Sequence, residues 1–204
     1  MQMKQTIRES ILQKKKILNG ILDDGYVEKV DKAGRILVSA LQCGGKVLLA
    51  GNGGSAADAQ HFAGEMIGRF MFDRAALPAV SLCTDPSVVS CIANDYGYDH
   101  VFARHLEGLG KKGDVFIPIS TSGNSENLIE AVQTAKNLQI TTIGFLGKDG
   151  GRLKDMCDLA VIVPSNETPR IQELHTFTVH VLCDYVERSI FGNLRNADRE
   201  TAHG

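Results

Sequence analysis

The sequence lacks a strong excess of either charge. Its 204 residues include 22 lysines and arginines against 24 aspartates and glutamates. A balance this even produces no bulk field that would attract nucleic acid or an anionic membrane surface. We therefore expect small molecules or other protein chains as partners, and neither nucleic acid nor a membrane.

Long hydrophobic runs and paired cysteines are also missing. No stretch reaches the roughly 18 apolar residues of a membrane span, and the charged N-terminus, MQMKQTIRESILQKKK, has no uninterrupted apolar core of the signal-peptide kind. The cysteines form no CxxC pair, and most lie among apolar residues, where free cysteine behaves as a small hydrophobe. They are Cys43, Cys83, Cys91, Cys157 and Cys183. We expect a reducing, cytoplasmic location.

No internal repeat, low-complexity tract or linker divides the chain. Its length is sufficient for one substantial α/β core and too short to assume two independent domains. We predict a single domain over 1–204, with an N-terminal helical segment at 1–44 and an α/β core with a C-terminal helix at 45–204.

The chain does contain a regular alternation of short apolar runs and helical patterns. Five runs bounded by turn residues predict strands: KVLLA at 46–50, PAVSL at 78–82, DVFIPI at 114–119, TTIGFL at 141–146 and LAVIVP at 159–164. Five strands with helices between them predict an α/β fold with a five-stranded parallel sheet covered on both faces, a three-layer sandwich.

Helical periodicity appears before the first strand and after the last. Two amphipathic helices are predicted at the start, from Ile7, Ile11, Leu18 and Leu22 and then from Val30, Ala33, Leu37 and Leu41. A long final helix is predicted from about Arg170 to Phe191, with an apolar stripe of Ile171, Leu174, Phe177, Val181, Leu182 and Val186.

Three polar, glycine-containing loops directly follow predicted strands. They are GNGGS at 51–55, STSGNSEN at 120–127 and GKDGG at 147–151. Parallel sheets bind ligands at the carboxyl ends of their strands, beside a switch in strand order. These loops therefore form the predicted ligand site.

The loop at 120–127 has the composition of an anion cradle without a lysine. It offers several hydroxyls, a glycine for a tight turn, and a helix N-terminus near Ser125. It lacks the GKS or GKT ending of a nucleotide P-loop, and the chain has no GxGxxG fingerprint, which favours a phosphorylated metabolite over ATP or a dinucleotide. Such a turn can also be a simple N-cap with local hydrogen bonds. The similar loop at 51–55, with Asn52 and Ser55, favours a ligand.

The helix after the first loop carries His61 and Glu65, four residues apart on one face. This spacing suits a shared metal or a proton-handling pair, although the same spacing also occurs in ordinary pairs on a solvated helix face.

The final helix supplies further polar candidates within RIQELHTFTVH. At 100° per residue, Gln172 and His180 lie about 80° apart around the axis and about 12 Å apart along it, whereas His175 and His180 lie about 140° apart. His175 is the poorer companion for His180, and a histidine on an apolar helix can simply satisfy a buried hydrogen bond. Gln172 and His180 can act at one site in three ways: a substrate lies between them, their side chains reach towards each other, or a neighbouring chain completes the site.

Together these motifs resemble the sugar isomerase (SIS) domain family, and within it the members that isomerise sedoheptulose 7-phosphate. The similarity covers nearly the whole chain and includes GNGGSAADAQHFAGE, AND at 93–95, ISTSGNS, GKDGG, and RIQELH followed by His180. The resemblance implies the flavodoxin-like SIS fold and a homotetramer whose active sites draw on adjacent subunits.

The resemblance also implies roles for individual residues. Glu65 and His180 correspond to the proton-transfer residues. The positions expected to bind the sugar phosphate are Asn52, Gly53, Gly54, Ser55, Glu65, Asn94, Asp95, Ser120, Thr121, Ser122, Ser125 and Gln172. Zinc-containing members use positions that match His61, Glu65, Gln172 and His180, which makes one zinc ion per subunit the expected cofactor.

The implied reaction converts sedoheptulose 7-phosphate to D-glycero-D-manno-heptose 7-phosphate through an enediol, and supplies heptose for lipopolysaccharide or other glycoconjugates. Either Glu65 and His180 act as free base and acid, or they hold zinc, because a metal-bound histidine cannot freely move a proton. One alternative is an isomerase for another phosphosugar. Another is the lineage that binds the replication initiator without isomerase activity, which differs at the glutamate, the last histidine and the serine loop; this chain retains all three.

Overall fold

The computed structural model describes residues 3–22 and 25–201, and for 193–201 the helical backbone alone. The helices are α1 (Met3–Ile21), α2 (Tyr26–Gln42), α3 (Gly54–Ile67), α4 (Pro86–Tyr96), α5 (Val101–Leu109), α6 (Glu126–Asn137), α7 (Leu153–Met156) and α8 (Thr168–Thr201). The strands are β1 (Val47–Gly51), β2 (Ala79–Ser81), β3 (Val115–Ser120), β4 (Thr141–Gly147) and β5 (Leu159–Val163). A 3₁₀ turn at Tyr98–His100 joins α4 to α5.

The five strands form one parallel sheet in the order β2-β1-β3-β4-β5. Val47 of β1 pairs with Ala79 of β2 on one side and with Val115 of β3 on the other. The predicted strands and the predicted parallel sheet are therefore confirmed. The order changes direction between β1 and β3, so the loops that follow these two strands flank the crevice where such folds bind ligands.

The sheet is covered on both faces, because alternate residues of each strand point to opposite sides. Val47 and Leu49 belong to a core with α2, α3 and α8, whereas Leu48 and Ala50 belong to a second core with α4, α5, α6 and α7. Nearly all residues of the three central strands are buried, which explains their continuous apolar sequences. The three-layer sandwich is as predicted.

The apolar stripes predicted for α1 and α8 are only partly core. Ile171, Leu174, Leu182 and Val186 of α8 are buried. Phe177 and Val181 of the same stripe are 46% and 38% exposed, and Ile7 and Ile11 of α1 are 51% and 61% exposed. In a single chain, these four side chains therefore lie largely outside the core.

No helix in the part of the chain that the structure describes combines the length and the apolar run needed to cross a lipid bilayer.

Candidate active site

The glycine loop after β1 is shaped by close contacts that exclude a side chain. A Cβ on Gly51 would lie 2.5 Å from the carbonyl oxygen of Ser55, and one on Gly54 would collide with the side-chain amide of Gln172. Gly53 has a φ of 55° and precedes α3 without a side-chain cap. The loop therefore brings bare backbone and the positive end of the α3 dipole to the crevice, with the Ser55 side chain buried in the first turn.

Asn52 ties this loop to the opposite side of the crevice. Its amide donates to Asn127 Oδ1 at 3.0 Å, and the amide of Asn127 donates back to Asn52 Oδ1 at 2.9 Å. Tyr98 Oη also donates to Asn52 Oδ1, at 3.0 Å. Because Asn127 lies in the first turn of α6, these bonds fix the distance between the loops that follow β1 and β3.

The serine loop after β3 is folded by its own hydroxyls. Ser120, which is buried, accepts a hydrogen bond from the Gly123 amide at 3.0 Å, and Ser122 Oγ accepts one from the Asn124 amide at 3.3 Å. Ser125 occupies the N-cap position of α6, but its hydroxyl does not cap the helix. The positive end of α6 thus faces the loop, as expected for an anion cradle.

The loop after β4 supports the serine loop from behind. A Cβ on Gly123, whose φ is 66°, would collide with the carbonyl oxygen of Gly150. Leu153 N donates to Gly123 O at 3.0 Å, and Arg152 N donates to Asn124 Oδ1 at the same distance. The third predicted loop, 147–151, therefore contacts the serine loop and holds its shape.

The two polar helix faces meet where α3 and α8 run side by side in the same direction. Gly54 lies against Gln172, Thr176 Oγ1 donates to Asp58 Oδ1 at 2.8 Å, and His61 Nε2 lies 2.8 Å from His180 Nε2. Burial raises the pKa of Asp58, and the hydrogen bond from Thr176 opposes this shift. Each step of about one turn along α3 is thus matched by a similar step along α8.

His61, Glu65 and His180 form one cluster at the third of these levels. His61 Nε2 lies 3.6 Å from Glu65 Oε1, and each residue offers a ligand atom within 4.8 Å of the others. The His61 and Glu65 side chains are 42% and 26% exposed, so a substrate or an ion can reach them. The Phe70 ring packs against His180, with the ring centroids 5.6 Å apart. One imidazole of the His61–His180 contact donates its proton to the other.

Gln172 lies apart from this cluster. Its side chain lies beside Gly54 at the start of α3, two helical turns before His180. The structure thus brings together His61, Glu65 and His180 of the expected metal group, and places Gln172 at the glycine loop.

Asn94 and Asp95 lie near the end of α4, where Asn94 Nδ2 donates to Asp95 Oδ1 at 2.8 Å. Across the described ranges, neither side chain hydrogen-bonds to the glycine loop or to the serine loop. Tyr98, a few residues further on, supplies the contact between this region and Asn52.

His175 is a core residue. It is 1% exposed, its Nε2 donates to Leu146 O at 3.1 Å, and burial lowers its pKa to about 4. It is therefore neutral at physiological pH and joins α8 to β4. The helical angle predicts that His175 and His180 lie on different faces of α8, and the buried position of His175 agrees with this.

Arg74 and Glu187 form a buried ion pair that was not predicted from the sequence. Their side chains are 1% and 0% exposed, and Arg74 Nε donates to Glu187 Oε1 at 3.1 Å. The available signal was a carboxylate directly after Val186 on an apolar helix, since a charge at a core position requires a partner. The partner itself lies far earlier in the chain and has no signature in the sequence.

Comparison with known proteins connects this site to one family. The sequence profile of the SIS domain matches residues 13–147. A phosphoheptose isomerase from Clostridium acetobutylicum is 52% identical over 186 residues, which cover 91% of this chain and 93% of that protein. The structure of a phosphoheptose isomerase from Francisella tularensis matches with a TM-score of 0.89 and 34% identity, covering 92% of this chain and 100% of that chain. That of the enzyme from Neisseria gonorrhoeae matches with a TM-score of 0.86 and 40% identity, covering 91% and 99%.

Proposed function

The chain belongs to the SIS domain family, and from this premise we propose that it interconverts sedoheptulose 7-phosphate and D-glycero-D-manno-heptose 7-phosphate. The observation that carries the proposal is the meeting of Glu65 and His180 in one partly exposed cluster, on helices that lead back to the crevice. As an aldose–ketose isomerase, the chain would act as one domain over 1–204 and supply heptose for lipopolysaccharide or another glycoconjugate.

The reaction moves one proton between C1 and C2 of the sugar and one between the two attached oxygens. Glu65 takes the proton from C1 as general base and delivers a proton to C2. Because its carboxyl group is partly exposed, the proton that it carries exchanges with solvent between the two steps. His180 transfers the proton between the oxygens, for which an imidazole serves as both donor and acceptor. His61 supports this role by its hydrogen bond to His180.

The phosphate end of the substrate is proposed to lie among Ser120, Thr121, Ser122 and Ser125. Two helix N-termini, those of α3 and α6, bring partial positive charge to this crevice, which suits a phosphate in the absence of a lysine. Asn52, Gly53, Gly54 and Ser55 form its other wall, and Gln172 lies beside Gly54. Asn94 and Asp95 complete the proposed sugar-binding set.

The donor set also fits zinc. Two imidazole nitrogens and a carboxylate oxygen are common zinc ligands, and here all three lie within 4.8 Å of one another. Bound zinc would polarise the sugar carbonyl as a Lewis acid. Gln172 is the weak member of the proposed ligand set, since glutamine is a rare zinc ligand. Its side chain also lies beside Gly54 at the start of α3, whereas Glu65 lies in the last turn of that helix.

We propose a homotetramer with shared active sites. The exposed apolar residues of α1 and α8 support it, as does an apolar groove of about 440 Å³ between α1, α2 and α8, lined by Leu18, Leu22, Val27, Phe177 and Val181 among others. Exposed Phe177 lies three residues before His180 on α8, so a chain packed against this apolar surface would come close to the cluster of His61, Glu65 and His180. The five free cysteines support a cytoplasmic location.

The proposal is tested by supplying the purified protein with sedoheptulose 7-phosphate, a pentose phosphate and a hexose phosphate, and measuring the aldose or ketose formed. We expect turnover of the heptose phosphate alone. Turnover of a shorter sugar in its place would show that the chain is an isomerase for another phosphosugar. No turnover with or without added zinc would show that it is a binding protein without isomerase activity. Repeating the assay after chelation separates the two accounts of the cluster, because free acid–base catalysis survives chelation.

A further inference from the structure

We propose that the buried ion pair of Arg74 and Glu187 is a positioning device for Glu65 and His180; this role rests on the function proposed above. Both side chains are buried away from solvent. Arg74 hydrogen-bonds to the backbone carbonyl of Glu65. Glu187 hydrogen-bonds to the backbone amide of Phe70, whose ring packs against His180.

Arg74 caps the end of α3 that carries Glu65. Its guanidinium donates to Glu65 O at 2.8 Å, to Met66 O at 2.7 Å and to Gly68 O at 3.1 Å. The last carbonyls of a helix have no partner within it, and a cation there also complements the helix dipole. Arg74 therefore determines where the last turn of α3 lies, and with it the backbone of Glu65.

Glu187 acts on the His180 side. It lies two turns after His180, along the same face of α8. Its carboxylate accepts from Phe70 N at 3.0 Å and from Met71 N at 2.7 Å, as well as from Arg74. Phe70 packs its ring against His180. Glu187 thus joins α8, the segment after α3 and the aromatic contact that limits rotation of His180.

Stability alone is a weak reason for this pair. Two charges lose their hydration when buried, and a well-packed apolar pair of similar volume is often at least as stable. What an apolar pair cannot do is bind backbone carbonyls and amides at fixed positions. Arg74 and Glu187 together make six such contacts around the cluster, counting Ala75 O. Because proton transfer tolerates little misplacement, an error of about 1 Å can cost 10²-fold in rate.

The chain contains a matched control for neutralising Glu187. Asp114, which is 0% exposed, also accepts three N–H bonds: from Lys46 N at 3.0 Å, Lys46 Nζ at 2.6 Å and Lys111 N at 2.9 Å. It directly precedes β3, at the end of the sheet opposite to the ligand loops. Asp114→Asn and Glu187→Gln therefore remove the same charge from equally buried, equally bonded sites, one of them far from the cluster.

The test compares kcat and KM of the two folded variants with those of the unsubstituted enzyme. We expect Glu187→Gln to lower kcat between about 10- and 100-fold. The KM of Glu187→Gln should change less than about 2-fold, since the serine loop that holds the phosphate is untouched. The kcat of Asp114→Asn should also change less than about 2-fold. Equal losses of kcat in the two variants would overturn the proposal. Should Glu187→Gln not fold, Arg74→Lys replaces it, because lysine keeps the charge but cannot bridge Glu187 and the carbonyls at once.

A second readout does not depend on turnover. Imidazole resonances of the full-length protein, with His180 assigned by His180→Asn, report the contact between Phe70 and His180. Glu187→Gln or Arg74→Lys should shift the His180 resonance and leave that of buried His175 in place. An unchanged His180 resonance would refute the positioning role even if the protein isomerises no sugar. A wild-type protein without turnover, combined with the expected shift, would overturn the proposed function alone.

Discussion

Glu65 lies in the last turn of α3, with a quarter of its side chain exposed and its carboxylate beside His61. We expect Glu65→Gln to lower kcat by about 10²- to 10⁴-fold, because an amide has the same shape but cannot accept the carbon proton. The melting temperature should stay within a few degrees, since the side chain is not part of a core. The control is Glu107→Gln on α5, which removes an exposed ion pair with Arg104 and should leave kcat unchanged. Near-normal turnover by Glu65→Gln would refute the base assignment.

His175 makes folding depend on pH. Burial lowers its pKa to about 4 from 6.5, so the unfolded chain takes up a proton first as the pH falls. The stability that the neutral imidazole gives is complete above about pH 6.5 and is lost as the pH falls towards 4, by up to about 3 kcal/mol.

Urea unfolding at several pH values between 7 and 4 checks this prediction. His175→Gln keeps a donor for Leu146 O but does not titrate, so its free energy of unfolding should fall less over that range. Parallel curves for the variant and the wild type would contradict it.

Sequence periodicity is sufficient to predict that His61 and Glu65 share a face of α3. The close contact between His61 and His180 was not predictable from it, since that contact depends on the alignment of α8 with α3. The same alignment places Gln172 beside Gly54, two turns before His180. No local sequence pattern predicts this contact between α8 and the glycine loop.

At the scale of elements, the serine loop depends on a backbone shape that only glycine permits at position 123. We expect Gly123→Ala to destabilise the fold by about 1–3 kcal/mol, because alanine is strained at a φ of 66° and its Cβ would collide with Gly150 O. It should also raise KM for the sugar phosphate, since the hydroxyls around the phosphate would move.

The matched control for that change is Gly108→Ala. Gly108 lies inside α5, and an added Cβ there meets nothing within 4 Å. Alanine is about 1 kcal/mol better than glycine in a helix, so this variant should be slightly more stable with KM unchanged. Denaturant unfolding and steady-state kinetics of both variants measure the difference, and an equal KM for Gly123→Ala and the wild type would refute the assigned role of the loop.

The elements themselves were predictable because buried parallel strands are continuously apolar and the loops after them are rich in glycine and serine. The observed order β2-β1-β3-β4-β5 then explains why two of those loops meet. The pairing of Arg74 with Glu187 was missed for a physical reason. The two charges are far apart in the sequence, and their meeting depends on the packing of α3, α8 and the segment between α3 and β2.

At the scale of the whole molecule, the exposed apolar face of α1 and α8 predicts assembly. Phe177→Asp should convert the proposed tetramer to smaller species in light-scattering measurements, because the carboxylate would be buried without a partner in the interface. Leu109→Asp, at an exposed apolar position on α5, should leave the mass unchanged. If adjacent chains share a site, kcat should fall together with the mass of Phe177→Asp. A monomeric wild-type protein with full activity would contradict the shared site.

Transfer of the carbon proton by Glu65 can be followed directly with solvent deuterium. Sedoheptulose 7-phosphate is incubated in D₂O with the wild type or Glu65→Gln, and deuterium at C2 of the aldose product is measured by NMR. We expect the wild type to form an aldose that carries solvent deuterium at C2. We expect Glu65→Gln to form this product at least about 10²-fold more slowly. Deuterium at C2 appearing at the wild-type rate with Glu65→Gln, or an aldose from the wild type without deuterium at C2, would contradict this role of Glu65.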